Sequence, residues 1–97
     1  LNINPNNATT YSYRGNANNN FGKWNEAIND YCKALSIDQN LVKVYCDRGI
    51  TYGNLQQWEN AIKDFDIALK LDPIRAKPYI KINQAIAYKK LSEQKHH

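Results

Sequence analysis

Several features that mark secreted, membrane-bound or metal-binding proteins are missing from this sequence of 97 residues. No apolar run approaches the roughly 20 residues that a membrane-spanning helix requires, and the first residues lack the basic and apolar parts of a signal peptide. The two cysteines, Cys32 and Cys46, form neither a metal-binding spacing nor a dense disulfide framework. We therefore expect no membrane span, no metal and no cofactor, and reduced thiols in the cytoplasm.

Methionine is also absent from the sequence. Because Leu1 cannot be a natural translation start, we expect the chain to be a piece of a longer protein, so that any targeting signal would lie outside this sequence. The adjacent His96 and His97 are interpreted as a possible tag remnant.

Acidic residues are scarce at the C-terminal end, where residues 75–97 hold six Lys and Arg against one Glu. Such an excess can attract nucleic acid or an acidic peptide, although a solvated Lys-rich helix is the simpler interpretation. The basic residues concerned are Arg75, Lys77, Lys81, Lys89, Lys90 and Lys95. Nucleic acid is therefore the least favoured partner.

What the sequence does contain is an internal repeat of 34 residues. Between residues 8–41 and 42–75, 11 of 34 positions are identical, including Tyr11/Tyr45, Arg14/Arg48, Gly15/Gly49 and Asp30/Asp64. The shared apolar and small positions lie three or four residues apart, which is helical spacing. The pattern predicts an all-α fold with five antiparallel helices, at about 8–21, 24–37, 41–54, 58–70 and 75–92.

Aromatic and small residues alternate at fixed places in both units. They are Tyr11, Gly15, Trp24, Ala27, Tyr31 and Ala34 in the first, and Tyr45, Gly49, Trp58, Ala61, Phe65, Ala68 and Pro73 in the second. This pattern resembles the tetratricopeptide repeat (TPR) family, whose unit of 34 residues is a helix-turn-helix. The sequence departs from it at Asn18, Gln39 and Asn83, where Tyr, Pro and Gly are usual, and we expect weaker packing there.

The resemblance implies that the repeats stack as a right-handed α-solenoid. Residues 1–7 are then the tail of a preceding repeat, and residues 8–41 and 42–75 are two complete repeats. Residues 76–97 supply the first, capping-like helix of a partial third repeat and the possible tag remnant. Within each repeat, the recurring Arg and Asp 16 positions apart predict a partly exposed ion pair with a structural role.

In this family the first helix of each repeat lines a concave groove that holds a peptide. The resemblance therefore makes the chain a non-catalytic module for protein–protein interaction, a fragment of a longer scaffold or adaptor. The candidate groove residues are Thr9, Ser12, Tyr13, Asn16, Asn19, Asn20, Lys43, Cys46, Asp47, Ile50, Gly53, Asn54, Lys77, Ile80, Lys81, Gln84 and Tyr88. Asn amides can bond a peptide backbone and Lys can meet a carboxylate, so this chemistry suits binding.

Chaperone-binding members of the family clamp a C-terminal carboxylate with Lys and Asn side chains. Asn16, Lys77 and Lys81 stand at such positions, whereas Ser12 replaces a Lys and Asp47 replaces an Asn. A negative charge where a carboxylate would lie costs on the order of 1–4 kcal/mol. We therefore do not expect a carboxylate clamp.

Two other functions stay open besides peptide binding. Residues 76–92 are apolar on more than one face and lack a partner helix, which predicts self-association through this helix. Weak polyanion binding by the basic end is the third. An enzyme is not expected, because no catalytic set of His, Ser, Cys or Asp is placed on facing helices.

Overall fold

A computed structural model describes residues 7–95 of the chain, and the tail at residues 1–6 and the pair at 96–97 lie outside the described part. Its helices are α1 (Ala8–Asn20), α2 (Trp24–Ile37), α3 (Val42–Asn54), α4 (Trp58–Leu71) and α5 (Pro73–Lys95). No strand occurs within residues 7–95, so the all-α prediction is confirmed. None of these helices is both long enough and apolar enough to span a membrane.

The helices pack in the order expected of stacked helix pairs. The most extensive contacts join α1 to α2 and α3 to α4, and smaller ones join α2 to α3 and α3 to α5. This arrangement is an α-solenoid, with principal extents of 46, 28 and 19 Å. Because each helix contacts mainly its neighbours in sequence, each pair gains its stability from the pairs on either side.

Each helix pair is held together where a glycine meets an aromatic ring. A Cβ atom added to Gly15 would lie 2.6 Å from Tyr31 Cε1, and one added to Gly49 would lie 2.5 Å from Phe65 Cε1. Both rings are fully buried. The glycines therefore leave the space that the rings fill, which gives the core its close packing.

The turn within each repeat has the same backbone geometry in both copies. Gly22 and Gln56, which are 34 positions apart, have φ angles of 76° and 61°. The amide of the next residue, Lys23 or Gln57, donates to the carbonyl oxygen five residues back. This is a Schellman motif, in which a left-handed residue ends the helix, and only the first repeat uses glycine there.

The last helix differs from the prediction. The sequence predicts residues 75–92, but α5 runs from Pro73 to Lys95, and Asp72 alone connects it to α4. Proline is tolerated in the first turn of a helix because its missing N–H would have no partner there. Asp72 Oδ1 accepts the Arg75 amide at 3.2 Å and so caps this turn. The predicted bounds of α5 were therefore wrong by two residues at its start and three at its end, whereas the other four helices match within one residue at each end.

An Arg and an Asp join the two helices of each repeat, as the offset of 16 predicts. Arg48 binds Asp64 with two hydrogen bonds of 2.7 and 2.8 Å, which raise the pKa of the Arg48 guanidinium. Arg14 binds Asp30 in the same way, and Asn18 Nδ2 donates to Asp30 at 2.9 Å. Both carboxylates are buried, and the Arg14 and Arg48 side chains are 40% and 18% exposed, so each pair is partly exposed through its arginine, as expected.

We predict opposite effects for the two glycines of α3. Gly49→Ala should lower the free energy of unfolding by about 1–3 kcal/mol, because the new methyl group overlaps the Phe65 ring. At Gly53 the nearest atom to a new Cβ is 3.4 Å away, so Gly53→Ala should stabilise the helix by up to about 1 kcal/mol. Urea unfolding of both variants checks this, and equal effects would contradict the packing described.

A second prediction concerns the left-handed turn residues. Gln56→Gly should raise the free energy of unfolding by roughly 0.5 kcal/mol, because glycine adopts a φ angle of 61° without strain. The matched change Gly22→Gln should lower it by about 1 kcal/mol. Thermal unfolding of the two variants beside the parent chain measures both shifts, and a loss of stability in Gln56→Gly would refute the assignment.

Candidate peptide-binding groove

A cavity of about 800 Å³ opens between α1, α3 and the first turns of α5. Six of the predicted groove residues line it, and the other lining residues come from the loop before α3, from α3 itself and from α5. The lining is Ser12, Tyr13, Asn16, Asn40, Leu41, Val42, Lys43, Val44, Cys46, Asp47, Arg75, Pro78 and Tyr79. The cavity therefore offers amide, hydroxyl, cationic, acidic and aromatic groups within one concave surface.

Asn16 is held in place from below by the core. The Tyr31 hydroxyl donates to Asn16 Oδ1 at 2.7 Å, while the ring of the same tyrosine packs at Gly15. The equivalent pair in the second repeat, 34 positions later, is Ile50 and Phe65. A polar pair in one repeat thus corresponds to an apolar pair in the next, and neither repeat leaves a buried hydroxyl without a partner.

Asp47 is the one carboxylate of the cavity lining, and its charge is already engaged. Lys43 Nζ lies 2.9 Å from Asp47 Oδ2 and 5.9 Å from the centre of the Tyr79 ring. Burial raises the pKa of Asp47 above its usual value, and Lys43 opposes that rise. Lys43 therefore connects an acidic and an aromatic residue across the cavity, from α3 to α5.

Thr51 links α1 to α3 beneath the groove. Its hydroxyl lies 3.0 Å from Asn19 Oδ1 and 2.8 Å from the carbonyl oxygen of Asp47. Thr51 is fully buried, so these contacts satisfy a hydroxyl that water does not reach. The Asn19 oxygen consequently has a structural role, and Asn19, a predicted groove residue, does not line the cavity.

Cys46 lies at the floor of the cavity and belongs to the hydrophobic core of α3, α4 and α5. Burial raises the pKa of its thiol to about 11, and Asp47 adds to the rise. A thiol with this pKa is almost entirely protonated at neutral pH, and so it is a poor nucleophile. Cys46 therefore has a packing role beneath the cavity rather than a nucleophilic one.

The structure does not bring all predicted groove residues together. Lys77, Lys81 and Gln84 line a second cleft of about 490 Å³ on α5, which adjoins the large cavity at Pro78, and Ile50, Gly53 and Asn54 line a small one of about 140 Å³ beside Trp58. Ile80 is buried in the core. The remaining predicted residues, Thr9, Asn20 and Tyr88, are exposed and line none of these three clefts.

The α5 residues that border the large cavity are Arg75, Pro78 and Tyr79, which the sequence did not predict as groove residues. Helical residues two apart face different directions, so the side bearing Arg75 and Tyr79 is not the side bearing Lys77. The repeat pattern does not predict that α5 begins as early as Pro73. Tyr79 stands in register with Tyr11 and Tyr45, which pack against the core and do not line the cavity, so the repeat pattern gave no signal for its groove position.

The six basic residues near the C-terminus do not form one surface. At about 100° per residue, their positions are distributed around α5: Arg75, Lys77, Lys81, Lys89, Lys90 and Lys95. A polyanion could contact only a few of them at once. Among residues 7–95 no group of three His, Cys, Asp or Glu side chains converges as metal ligands.

Comparison with solved structures finds the same fold repeatedly. The TPR domain of Arabidopsis OM64 superposes with a TM-score of 0.78 at 23% identity, covering 91% of this chain and 71% of that one. The TPR2B domain of yeast Sti1 in complex with pHsp70 gives 0.74 at 27% identity, covering 93% and 72%. MamA gives 0.75 at 19% identity, covering 97% and 64%.

Comparison at the level of sequence points to one family. No curated protein sequence matches the chain. One family model, described as TPR repeat, matches residues 21–56, and another, described as tetratricopeptide repeat, matches residues 42–74. The two matches overlap and together span more than half of the chain. With its helix pairs, its glycine–aromatic contacts and these matches, the chain belongs to the tetratricopeptide repeat family.

Proposed function

We propose that this TPR chain, a protein-interaction module, binds an extended peptide of a partner protein in the cavity between α1, α3 and α5. The observation that carries the proposal is the fixed polar lining: Tyr31 holds Asn16, and Lys43 pairs with Asp47. Groups held in place before a ligand arrives lose little conformational entropy on binding. The chain would then act as part of a scaffold or adaptor that recruits its partner.

The lining favours recognition of peptide backbone and side chains over recognition of a chain terminus. The yeast Sti1 domain with the same fold is in complex with pHsp70. In this chain Asp47 lies within the cavity and Lys77 and Lys81 lie in another cleft. A peptide carboxylate placed beside Asp47 would meet a like charge in a partly dehydrated site, so the ligand proposed is an internal segment.

The aromatic residues at the rim supply apolar contact for such a segment. Tyr13 and Tyr79 are both more than half exposed and line the cavity from two different helices, α1 and α5. Tyrosines offer a large contact area with few rotatable bonds, which suits a binding surface.

Both cysteines are free thiols, which suits a reducing compartment such as the cytoplasm.

We predict that Asn16→Ala weakens peptide binding about tenfold. The bound peptide would lose its hydrogen bond to the Asn16 side chain, and the peptide group left buried without a partner costs about 1–2 kcal/mol. Peptides selected from an array are titrated by fluorescence anisotropy against the parent and the variant. Asn16→Ala in a Tyr31→Phe background separates binding from stability, because that chain has no tyrosine hydroxyl to leave unpaired. Lys63→Ala, on the exposed side of α4, is the control. A peptide affinity that is unchanged in both Asn16 variants would refute peptide binding in this cavity.

The Lys81→Ala variant tests whether the bound peptide occupies the large cavity alone or both clefts. Lys81 lines the second cleft on α5, so a peptide confined to the large cavity should bind this variant as well as it binds the parent. A loss matching that of Asn16→Ala would show that the ligand crosses both clefts. Titration of the same peptides measures this directly.

Asp47 should set the preference between chain ends and internal segments. We predict that the parent chain binds peptides with free and amidated C-termini equally well. Asp47→Asn should favour the free carboxylate by about five- to tenfold, because removing the like charge recovers roughly 1 kcal/mol. Titrations with matched peptide pairs test this, and a parent chain that already requires the free carboxylate would contradict it.

A further inference from the structure

Six residues of α5 follow one another in alternating steps of four and three positions. They are Arg75, Tyr79, Ile82, Ile86, Lys89 and Glu93, here called the α5 stripe. These steps are the spacing of a helix face that packs along another helix. From Arg75 to Glu93 the helix makes five turns of about 3.6 residues, so the two end residues project in the same direction, about 27 Å apart.

The whole stripe is open to solvent. Its two isoleucines are 74% and 43% exposed and Tyr79 is 53% exposed, while the Arg75 side chain is 82% exposed. Lys89 and Glu93 are exposed as well. Aliphatic side chains aligned along a helix and left in water are typical of a surface that packs against another protein.

We propose that this surface binds a second copy of the same chain, with the two α5 helices antiparallel across a twofold axis. The residue types of the stripe are mirror-complementary about Gln84. Ile82 and Ile86 lie two positions before and after Gln84, so Ile82 of one copy would meet Ile86 of the other. Five positions away are Tyr79 and Lys89, and nine positions away are Arg75 and Glu93.

In the antiparallel pair each of these positions meets its complement. Ile82 of one copy packs on Ile86 of the other, burying the apolar centre. Lys89 lies over the ring of Tyr79, and Arg75 pairs with Glu93 at both ends. The twofold axis repeats every contact, so one chain supplies both halves of the interface.

A parallel pair would not have this complementarity. It would place Arg75 beside Arg75 and Glu93 beside Glu93, with Lys89 beside Lys89 between them. Like charges directly opposed along paired helices are destabilising. The charges of the stripe therefore select the antiparallel orientation, and the isoleucines supply the attraction.

Pairing through the stripe would share two residues with the peptide groove. Arg75 and Tyr79 line the large cavity, whereas Lys77, Lys81 and Gln84 are not part of the stripe. A bound peptide that contacts Tyr79 would therefore compete with the second copy at this end of the stripe. The partner chemistry assigned here is thus a second copy of this chain, distinct from the peptide.

Charge exchange at the ends of the stripe tests the proposal. Sedimentation velocity over a dilution series should show the parent chain in equilibrium between monomer and dimer. Glu93→Arg alone and Arg75→Glu alone should each raise the dimer dissociation constant about tenfold, because two attractive contacts become repulsive. An equal mixture of the two variants should recover the parent's affinity, since each variant then meets its complement at both ends.

Two further variants guard the interpretation. Asp66→Arg reverses the charge of an exposed residue on α4 and should leave the dissociation constant unchanged. Ile82→Asp should abolish the dimer, while circular dichroism stays that of the parent because the residue is exposed. A parent chain that is monomeric at every concentration overturns the proposal. So does a mixture that associates no more tightly than its separate components, because the helices would then not meet antiparallel in this alignment.

Discussion

The fold depends on one close approach, repeated in each unit, in which a glycine of the first helix meets an aromatic ring of the second. The rings of Tyr31 and Phe65 occupy the space that a side chain at Gly15 or Gly49 would need. The alanines on the same face of the second helix extend this contact along the pair. Because the distance between the helices is set here, the position of every groove residue on the first helix follows from it.

Hydrogen bonds and ion pairs then fix how the two helices of each pair lie against each other. Asp30 and Asp64 are buried, and each is bound by an arginine from the preceding helix. A buried carboxylate is costly without partners, so these residues oppose any sliding of the helices that would separate them. Asn18, which departs from the family pattern, donates a hydrogen bond to Asp30. It therefore supplies this buried carboxylate with a further polar partner.

Much of this architecture could be predicted from the repeat of 34 residues, because helical spacing and small residues leave a strong periodic signal. Four helices matched within one residue. The start of α5 was missed because proline serves equally as a break and as a first-turn residue, and only the cap at Asp72 decides between them. The left-handed Gln56 has no sequence signal of its own. The α5 side of the groove was missed for a related reason: a repeat pattern assumes that every first helix is oriented alike.

The bond between Tyr31 and Asn16 has a consequence for how such a groove can diverge. The same tyrosine fills the core and orients a groove residue, whereas the second repeat has Phe65 below Ile50. Changing either member alone would leave a buried hydroxyl or an amide without its partner. Whether this groove position is polar or apolar therefore depends on two residues together, one on each helix of the repeat. A change of specificity at this position would require coupled substitutions 15 positions apart, because each single change would lower the stability of the fold.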